Sequence, residues 1–373
     1  MGINVQLSIL KVPAPPPLVD ALQELVIESA IDMAGAFSLR FGLSADRLGE
    51  YGLLALDPFK PGLPLGIRVG TGTAPIPMAV INGFATGHRA IWAEGGKSSL
   101  TVTGTDVTGI MNLEEKVKPW PSLPDSAIAL AIFATYTVIP KVTPTPPRLI
   151  DPLGTTIQRG TDIRLLRRMA RRNGFDCYVQ PEPLTGLDTG YFGPPVTLGM
   201  PQAVLNVNIG AQTNVRDVTA RYDMLRPTTA ITANIDTATK APQVGVAPAS
   251  LLPPMGIEPA GVRTLAGAVV AGGLPLVRVA DPSNVLVPEG QAAVQGMVDR
   301  SSFAVSVEGT TGAEVGVLRP GALVALRGVG RVYNGLYQLT KVRLTVAEGR
   351  FEQRFTARRN AVTMTGAEPY VAV

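Results

Sequence analysis

The sequence predicts a mainly β protein in which two antiparallel β-barrels flank an α+β insert. Three observations predict it: short alternating strands at both ends of the chain, a change to helical periodicity in the middle, and a sequence echo between the two ends. Gly and Pro account for 40 and 33 of the 373 residues, about one in five against roughly one in eight on average. Regular elements are therefore short and often interrupted.

The first hundred residues read as strands. Asn4 to Lys11 alternates, with Val5, Leu7 and Ile9 on one face. Pro13 to Pro17 forms a rigid extended turn. Leu22 to Ala34 is read as a strand on Val26, Ile27 and Ile31. Ala36 to Leu43 alternates again, with Phe37, Leu39 and Phe41 inward, and Arg47 to Leu54 fits one helical turn. Gly66–Gly70, Met78–Thr86, Arg89–Glu94 and Ser98–Gly104 read as four further strands, with Gly95-Gly96 as a hairpin signal between the last two.

The period then changes. Pro124 to Thr137 is a helix candidate with Asp125 or Ser126 as cap and Ile128, Ile132 and Tyr136 at four-residue spacing. Thr161 to Asn173 is the clearest helix: Thr161 caps it, Gly174 ends it, and Ile163, Leu166, Met169 and Ala170 form its apolar stripe. Phe175–Val179 reads as a strand, and Ala203–Ile209 with Val215–Tyr222 as a strand pair. Thr237 to Leu274 has no sustained period and reads as a linker or partly ordered excursion. Beyond it, Gln291–Arg300, Ser302–Val307, Ala322–Gly328, Gly335–Val346 and Arg350–Arg358 fit strands, the last two joined by Glu348-Gly349. Pro61 to Arg68 echoes Pro320 to Arg327, each before a strand and a hairpin. Such a layout fits a duplicated barrel; any two β-barrels would also share it.

Composition excludes several classes. Hydrophobic residues are 46% and charged residues 17%, which is too apolar for a disordered chain. The net charge of +4 carries no strong nucleic-acid signature. Mean hydropathy is +0.22, yet the longest clean apolar run, Ala127 to Ile139, is short of the ~20 residues of a spanning helix. No membrane insertion and no secretory signal are expected.

The candidates for chemistry are few. His88 and Cys177 are the only histidine and cysteine, so no intrachain disulfide can form and a His/Cys metal cluster within one chain is close to excluded. His88 reads as a residue between two strands, with no nucleophile elbow to partner it. Cys177, in an alternating strand, reads as a buried structural thiol. Glu114-Glu115 reads as a solvated charged turn beside Lys116 and Lys118, since adjacent helical residues do not share a face. Gly70-Thr71-Gly72-Thr73 and Gly95-Gly96-Lys97-Ser98 lack the full phosphate-loop spacing. The one strong charge feature is a helical face of Arg164, Arg167, Arg168, Arg171 and Arg172. It reads as a solvated cationic face, as an interface for an acidic protein surface or, third, as a nucleic-acid contact, against which the rest of the chain lacks a supporting aromatic and basic surface. No catalytic, cofactor-binding or metal-binding residue is assigned.

The segment Gln158 to Phe175 resembles the "Q-x-x-x-S-D-x-x-F-L-x-R-L-A-x-x-x-G-Y" pattern of phage late-control D proteins, the tail baseplate hub family. The same module forms the N-terminal part of type VI secretion spike proteins and the hubs of contractile injection systems. Leu100 to Asp106 resembles the family's "L-x-V-x-G-x-D", Asn334 to Val342 its "N-G-x-Y-x-V-x-x-V", and Phe355 to Asn360 its closing "F-x-A-x-R". Order and spacing carry the likeness over about residues 1–365. Arg343-Leu344-Thr345 stands where the family often places a His, and 237–274 has no match. The chain ends at Val373 with no OB-fold or β-helical needle, so the spike tip is expected to be a separate protein.

The resemblance implies a non-enzymatic structural protein without cofactor: a homotrimer whose two tube-like barrels per subunit form a pseudo-sixfold ring between a threefold spike and a sixfold inner tube. It implies a first barrel at 1–112, a middle α+β domain at 113–236, a linker at 237–279, a second barrel at 280–365 and a tail at 366–373. The implied partners are its own copies, spike and inner tube proteins, and baseplate wedge and tape-measure proteins. Its implied place is a phage tail or injection particle assembled from bacterial cytoplasm. The alternatives are a soluble carbohydrate-active β-protein, or a monomeric binding module, which would show an exposed aromatic patch that 5% aromatics argues against.

Overall fold

In this computed structural model, residues 3–55, 59–60, 62–72, 76–94, 97–146, 155–235, 240–271, 275–279, 287–366 and 368 are described. The first half contains β1 (Asn4–Ile9), β2 (Val12–Pro13), α1 (Pro16–Asp20), β3 (Leu22–Ala30), β4 (Ala36–Gly42), α2 (Gly52–Ala55), β5 (Pro64–Gly70), β6 (Met78–Ile91) and β7 (Ser99–Asp106). Alternation decides its core. Leu25, Ile27, Phe37, Leu39, Phe41, Ile67, Ile81 and Val102 all point inward. The two strands expected at Met78–Thr86 and Arg89–Glu94 are one strand, β6. Gly87 marks a bulge beside Thr86, where the register with β7 shifts, rather than a break. The hairpin signal Gly95-Gly96 lies outside the described residues.

The middle unit follows with α3 (Val107–Ile110), β8 (Lys116–Trp120), α4 (Asp125–Thr135), β9 (Ile139–Val142), β10 (Thr156–Gly160), α5 (Asp162–Arg172), β11 (Asp176–Pro181) and β12 (Asp188–Gly193). Helices α4 and α5 pack Ile128, Ile132, Phe133, Ile163, Leu166 and Met169 with Trp120 and Phe192. Thr161 caps α5 by accepting from the Arg164 N–H. The N-cap of α4 is Pro124, without a side-chain bond. The expected caps, Asp125 and Ser126, lie inside the helix, where the Asp125 carboxylate is taken up by Arg172 and Asn173.

The chain continues through β13 (Ala203–Asn206), β14 (Val215–Tyr222), β15 (Thr229–Ile235), β16 (Pro242–Ala247), β17 (Glu258–Pro259), α6 (Ala260–Ala271), β18 (Leu276–Val279) and α7 (Val287–Ser301). It closes with β19 (Val305–Thr311), β20 (Leu323–Arg327), β21 (Gly335–Ala347), β22 (Arg350–Arg359) and β23 (Ala361–Val362). Three expectations change here. The strand expected at Gln291–Arg300 lies within helix α7. Val294 and Val298, one turn apart, face Ala230 and Ala247, while Gln291 and Gln295 bond the backbone at Val246 and Ala249. The expected linker 237–279 carries β16, β17, α6 and β18, and β16-β15-β18 form a small sheet under α7. Small residues let α7 close on that sheet, so packing supplies what the period did not. Finally, β13 and β14 do not pair with each other. β13 joins β20 in parallel and β14 joins β19 antiparallel.

The main sheet has thirteen strands in the order β14-β19-β22-β21-β3-β4-β7-β6-β5-β1-β2, with β20 and β13 branching from β21. Within it one six-strand arrangement occurs twice. The run β3-β4-β7-β6-β5-β1 of the first half matches β14-β19-β22-β21-β20-β13 of the second in order, and in strand direction at every pair but the last, where β1 is antiparallel to β5 and β13 parallel to β20. The second half thus draws two strands from before residue 280, where the second barrel was expected to start, and holds the β15–α7 unit as an insertion between β14 and β19, its first and second strands in that order.

The match extends to atoms. Gly62 and Gly321, at φ +81° and +83°, each precede the fifth strand of their half, in the left-handed region that glycine enters without cost. The bulge at Thr86 in β6 recurs at Thr340 in β21. Both hydroxyls donate to the neighbouring strand, Thr86 to the Thr103 carbonyl at 3.2 Å and Thr340 to the Thr356 carbonyl at 3.1 Å. The halves join where Lys341–Ala347 of β21 pairs antiparallel with Glu24–Ala30 of β3.

Candidate protein–protein interface

The motif residues of the sequence are buried structural pins. Gln158 is fully buried; it accepts from the Trp120 indole N–H at 3.0 Å and donates to Asp162 at 2.7 Å. Asp162 also accepts from Lys116 at 2.7 Å and the Tyr136 hydroxyl at 2.8 Å. Burial would raise the pKa of Asp162, but these donors outweigh it and the net direction is down. Asp106, which ends β7, accepts from Gly35 N at 2.7 Å and Thr108 N at 2.9 Å and caps α3. Burial still pushes its carboxyl up against those bonds.

At the other end of the chain, Arg358 donates twice to Asp176 while its Nε donates to Gln338, which itself donates to Asp176 at 3.1 Å. Arg359 is buried and spends its donors on the carbonyls of Met255, Asn334 and Thr363. Arg319 donates to Ala79 O in the first half and Pro181 O in the middle unit. It therefore ties all three parts together. Sequence reasoning met Arg359 only as the last residue of F-x-A-x-R and missed Arg319 and Arg358. The Ala79 and Pro181 carbonyls and the Asp176 carboxylate that these two bind lie more than a hundred residues away, and no local pattern encodes such contacts.

The remaining candidates separate cleanly. His88 is exposed on β6. Cys177 is buried, and burial pushes its thiol up to about 12, only partly offset by the charge of Arg167. Glu114 and Glu115 are exposed and pair with Lys116 and Arg164. Lys97 is exposed and leads into a strand, not a helix, while Gly95, Gly96 and Thr73 lie outside the described residues. Among the described residues no three His, Cys, Asp or Glu side chains come together, and no helix is long and apolar enough to cross a membrane.

The five arginines of α5 do not act alike. Arg164 meets Glu115 at 3.2 Å, and Arg172 is bound by buried Asp125. Arg167, Arg168 and Arg171 have no ion pair or hydrogen bond among the described residues. The Nε and Nη2 of Arg167 are enclosed without an acceptor. Arg168 and Arg171 are exposed; the charge of Arg300 on α7 is disfavoured chiefly by burial, with Arg358 and Arg171 adding to it. What remains on the exposed helix surface is a cationic pair, Arg168 and Arg171, with Arg167 half-buried beside them.

No protein-family model matches the sequence, and no curated protein matches it by sequence. Solved structures do match in fold. A tail protein from Neisseria meningitidis MC58 is 13% identical, with a TM-score of 0.61 over 99% of this chain and 100% of that one. The 43 kDa tail protein of prophage MuSo2 from Shewanella oneidensis is 13% identical, with a TM-score of 0.63 over 96% and 99%. An E. coli component of the type VI secretion system, described as similar in structure to the T4 bacteriophage tail proteins gp27 and gp5, is 11% identical, with a TM-score of 0.55 over 95% and 76%. This chain therefore has the mostly β fold of phage tail proteins and of a type VI secretion component, in keeping with the tail baseplate hub family that its motifs resemble.

Proposed function

We propose that this chain is the structural, non-enzymatic baseplate hub of a contractile phage tail or a phage-tail-like injection system. The internal duplication carries the reading. Three copies of a chain with two matching six-strand halves present six related units, which suits a junction between a threefold spike and a sixfold inner tube. The likeness to phage tail proteins over nearly the whole chain supports it. The proposed partners are two further copies, the spike protein and the inner tube protein, with baseplate wedge and tape-measure proteins around them. Arg168 and Arg171 form the proposed contact with an acidic surface among those partners.

The test is the mass of the purified protein in solution by native mass spectrometry, alone and with its spike and tube proteins. The subunit is 39.1 kDa. Trimers that take up the tube protein are expected. A chain that stays monomeric with both partners present rules the hub out. Within the assembly, Arg168→Glu/Arg171→Glu is expected to weaken one heterotypic contact at least tenfold while leaving the trimer intact; unchanged affinity for every partner removes the role given to this face.

A further inference from the structure

The duplicated sheet contains one junction made and one left open. In the made junction, β21 extends past the end of β20, and its free stretch Lys341–Ala347 pairs with β3. The equivalent stretch of the first half is the part of β6 beyond Phe84, where β5 ends. Among the described residues its edge opposite β7 has no strand partner. The equivalent of β3 is β14, whose one strand partner among the described residues is β19. Two matching edges, one from each half, are thus without a strand partner among the described residues. Free edges of this kind are templates for pairing with another chain.

The register follows from the duplication. Thr86 and Thr340 occupy the same bulge, so Gly87–Ala93 corresponds to Lys341–Ala347. The register breaks at Leu22/Glu24 in β3 and at Val215/Asp217 in β14 also correspond, so Glu24–Ala30 matches Asp217–Asp223. Copying the made junction onto the open edges sets His88 opposite Tyr222, Ala90 opposite Ala220 and Trp92 opposite Val218.

The side chains suit this pairing. In the made junction the inward pairs are Val342 with Ser29, Leu344 with Ile27 and Val346 with Leu25, and Leu25, Ile27, Val342 and Leu344 are at most 3% exposed. Their counterparts lie open. Trp92 is 61% exposed, with Tyr51 packed edge-on at 6.5 Å, and Ala90, Val218 and Tyr222 are half-buried at the borders of their cores. Trp92 is one of two tryptophans; the other, Trp120, is buried with its N–H bonded. Arg89 falls opposite Arg221 where the made junction has Arg343 opposite Glu28. Asp223 sits diagonal to Arg89, within reach as its counter-charge.

We propose that Gly87–Ala93 of one copy, the end of β6 and the two residues that follow it, pairs antiparallel with β14 of a second copy in this register. The contact is heterologous, so copies add head to tail until the ring closes. It rests on the trimeric reading above and gives that reading its subunit interface. The made and open junctions then alternate round the ring.

Ala90→Cys/Ala220→Cys, oxidised in solution, tests it, because directly opposed residues bring their Cβ atoms to roughly 4.5–5.5 Å. Covalent dimers and trimers are expected, absent from either single variant and from Arg89→Cys/Ala220→Cys, which is out of register. A second variant, Trp92→Glu, changes an exposed side chain and is expected to lower the trimer fraction at least tenfold without moving the melting temperature of the monomer. Trimers by mass with no cross-link, or an undiminished trimer in Trp92→Glu, overturn the pairing and leave the hub reading standing. Monomers under every condition remove both.

Discussion

Asp176 and Arg358, 182 positions apart in the chain, meet through two hydrogen bonds of 2.7 Å. Asp176 begins β11 in the middle unit and Arg358 lies near the end of β22 in the second half, so the pair fastens one to the other. Both are largely buried, at 4% and 15% side-chain exposure. The Arg358 guanidinium also stacks over Phe303, 4.2 Å from its centroid. Removing one partner strands the other charge in a dry setting. Arg358→Ala is expected to cost about 3–5 kcal/mol. The double variant Asp176→Ala/Arg358→Ala should cost less than the sum of the two single losses. Urea melts of the three variants measure this, and an additive double variant refutes the coupling.

Helices α5 and α7 touch through glycine. A Cβ placed on Gly174 would stand 2.6 Å from the Gly296 Cα, and one on Gly296 would stand 2.8 Å from the Arg172 carbonyl. Backbone cannot move aside as a side-chain tip can. In an isolated helix Gly296→Ala would gain up to ~1 kcal/mol. Here the clash should reverse the sign, for a net loss of about 1–3 kcal/mol. Equilibrium denaturation decides, and a stabilised variant would mean that the helices separate freely.

Asp188 provides a pH signature. It lies at the seam between the middle unit and the first half, on a small cavity of about 30 Å³ lined also by Asn82, Asp106, Tyr178 and Arg319. Burial pushes its carboxyl up to about 6; Asp106 adds to the rise, while the Asn82 amide at 3.0 Å and Lys11 oppose it. The folded state therefore holds this proton more tightly than the unfolded chain, whose aspartates titrate near ~3.9. The contribution is fully present below about pH 4 and is lost as pH rises through 6. Asp188→Asn is expected to melt higher than the parent above pH 6, with the gap closing toward pH 4. A gap that does not change with pH would remove Asp188 as its source.

The β21–β22 turn is set by Glu348 and Gly349, at φ +51° and +72°. Both central residues are left-handed, as in the two-residue turn that favours Asn-Gly. Glu348 adopts that conformation at a steric cost that Asn tolerates better. Glu348→Asn is expected to stabilise the protein by about 0.5–1 kcal/mol, read as a raised denaturation midpoint. A lowered midpoint would show that Glu348 has another role.

The arginine face of α5 shows how far sequence reasoning reaches into an interface. The amphipathic stripe predicts that Arg164, Arg167, Arg168, Arg171 and Arg172 lie away from the core, and that much is local; the fold instead encloses the Nε and Nη2 of Arg167. Arg164 and Arg172 are taken up by Glu115 and Asp125, brought there by segments about fifty residues away. Only the fold separates exposed Arg168 and Arg171, which have no ion pair among the described residues, from the rest.

By itself, the sequence determined the mainly β class, the core faces at Phe37, Leu39 and Phe41, the cap and stop of α5, and the Glu348-Gly349 turn. Each is encoded within a few residues, by period-two or period-four burial or by a backbone angle. The tertiary structure decided the rest. It made Gln291–Arg300 part of a helix, because Val294 and Val298 find a sheet of small residues to cover. It turned the 237–279 stretch into strands and a helix, paired β13 and β14 with β20 and β19 rather than with each other, and fused the two halves through β3 and β21. Strand partners are chosen by hydrogen bonds between distant segments, and every strand carries the same donors and acceptors. Local residues can specify that a strand forms, but its neighbour is settled only when the whole sheet is assembled.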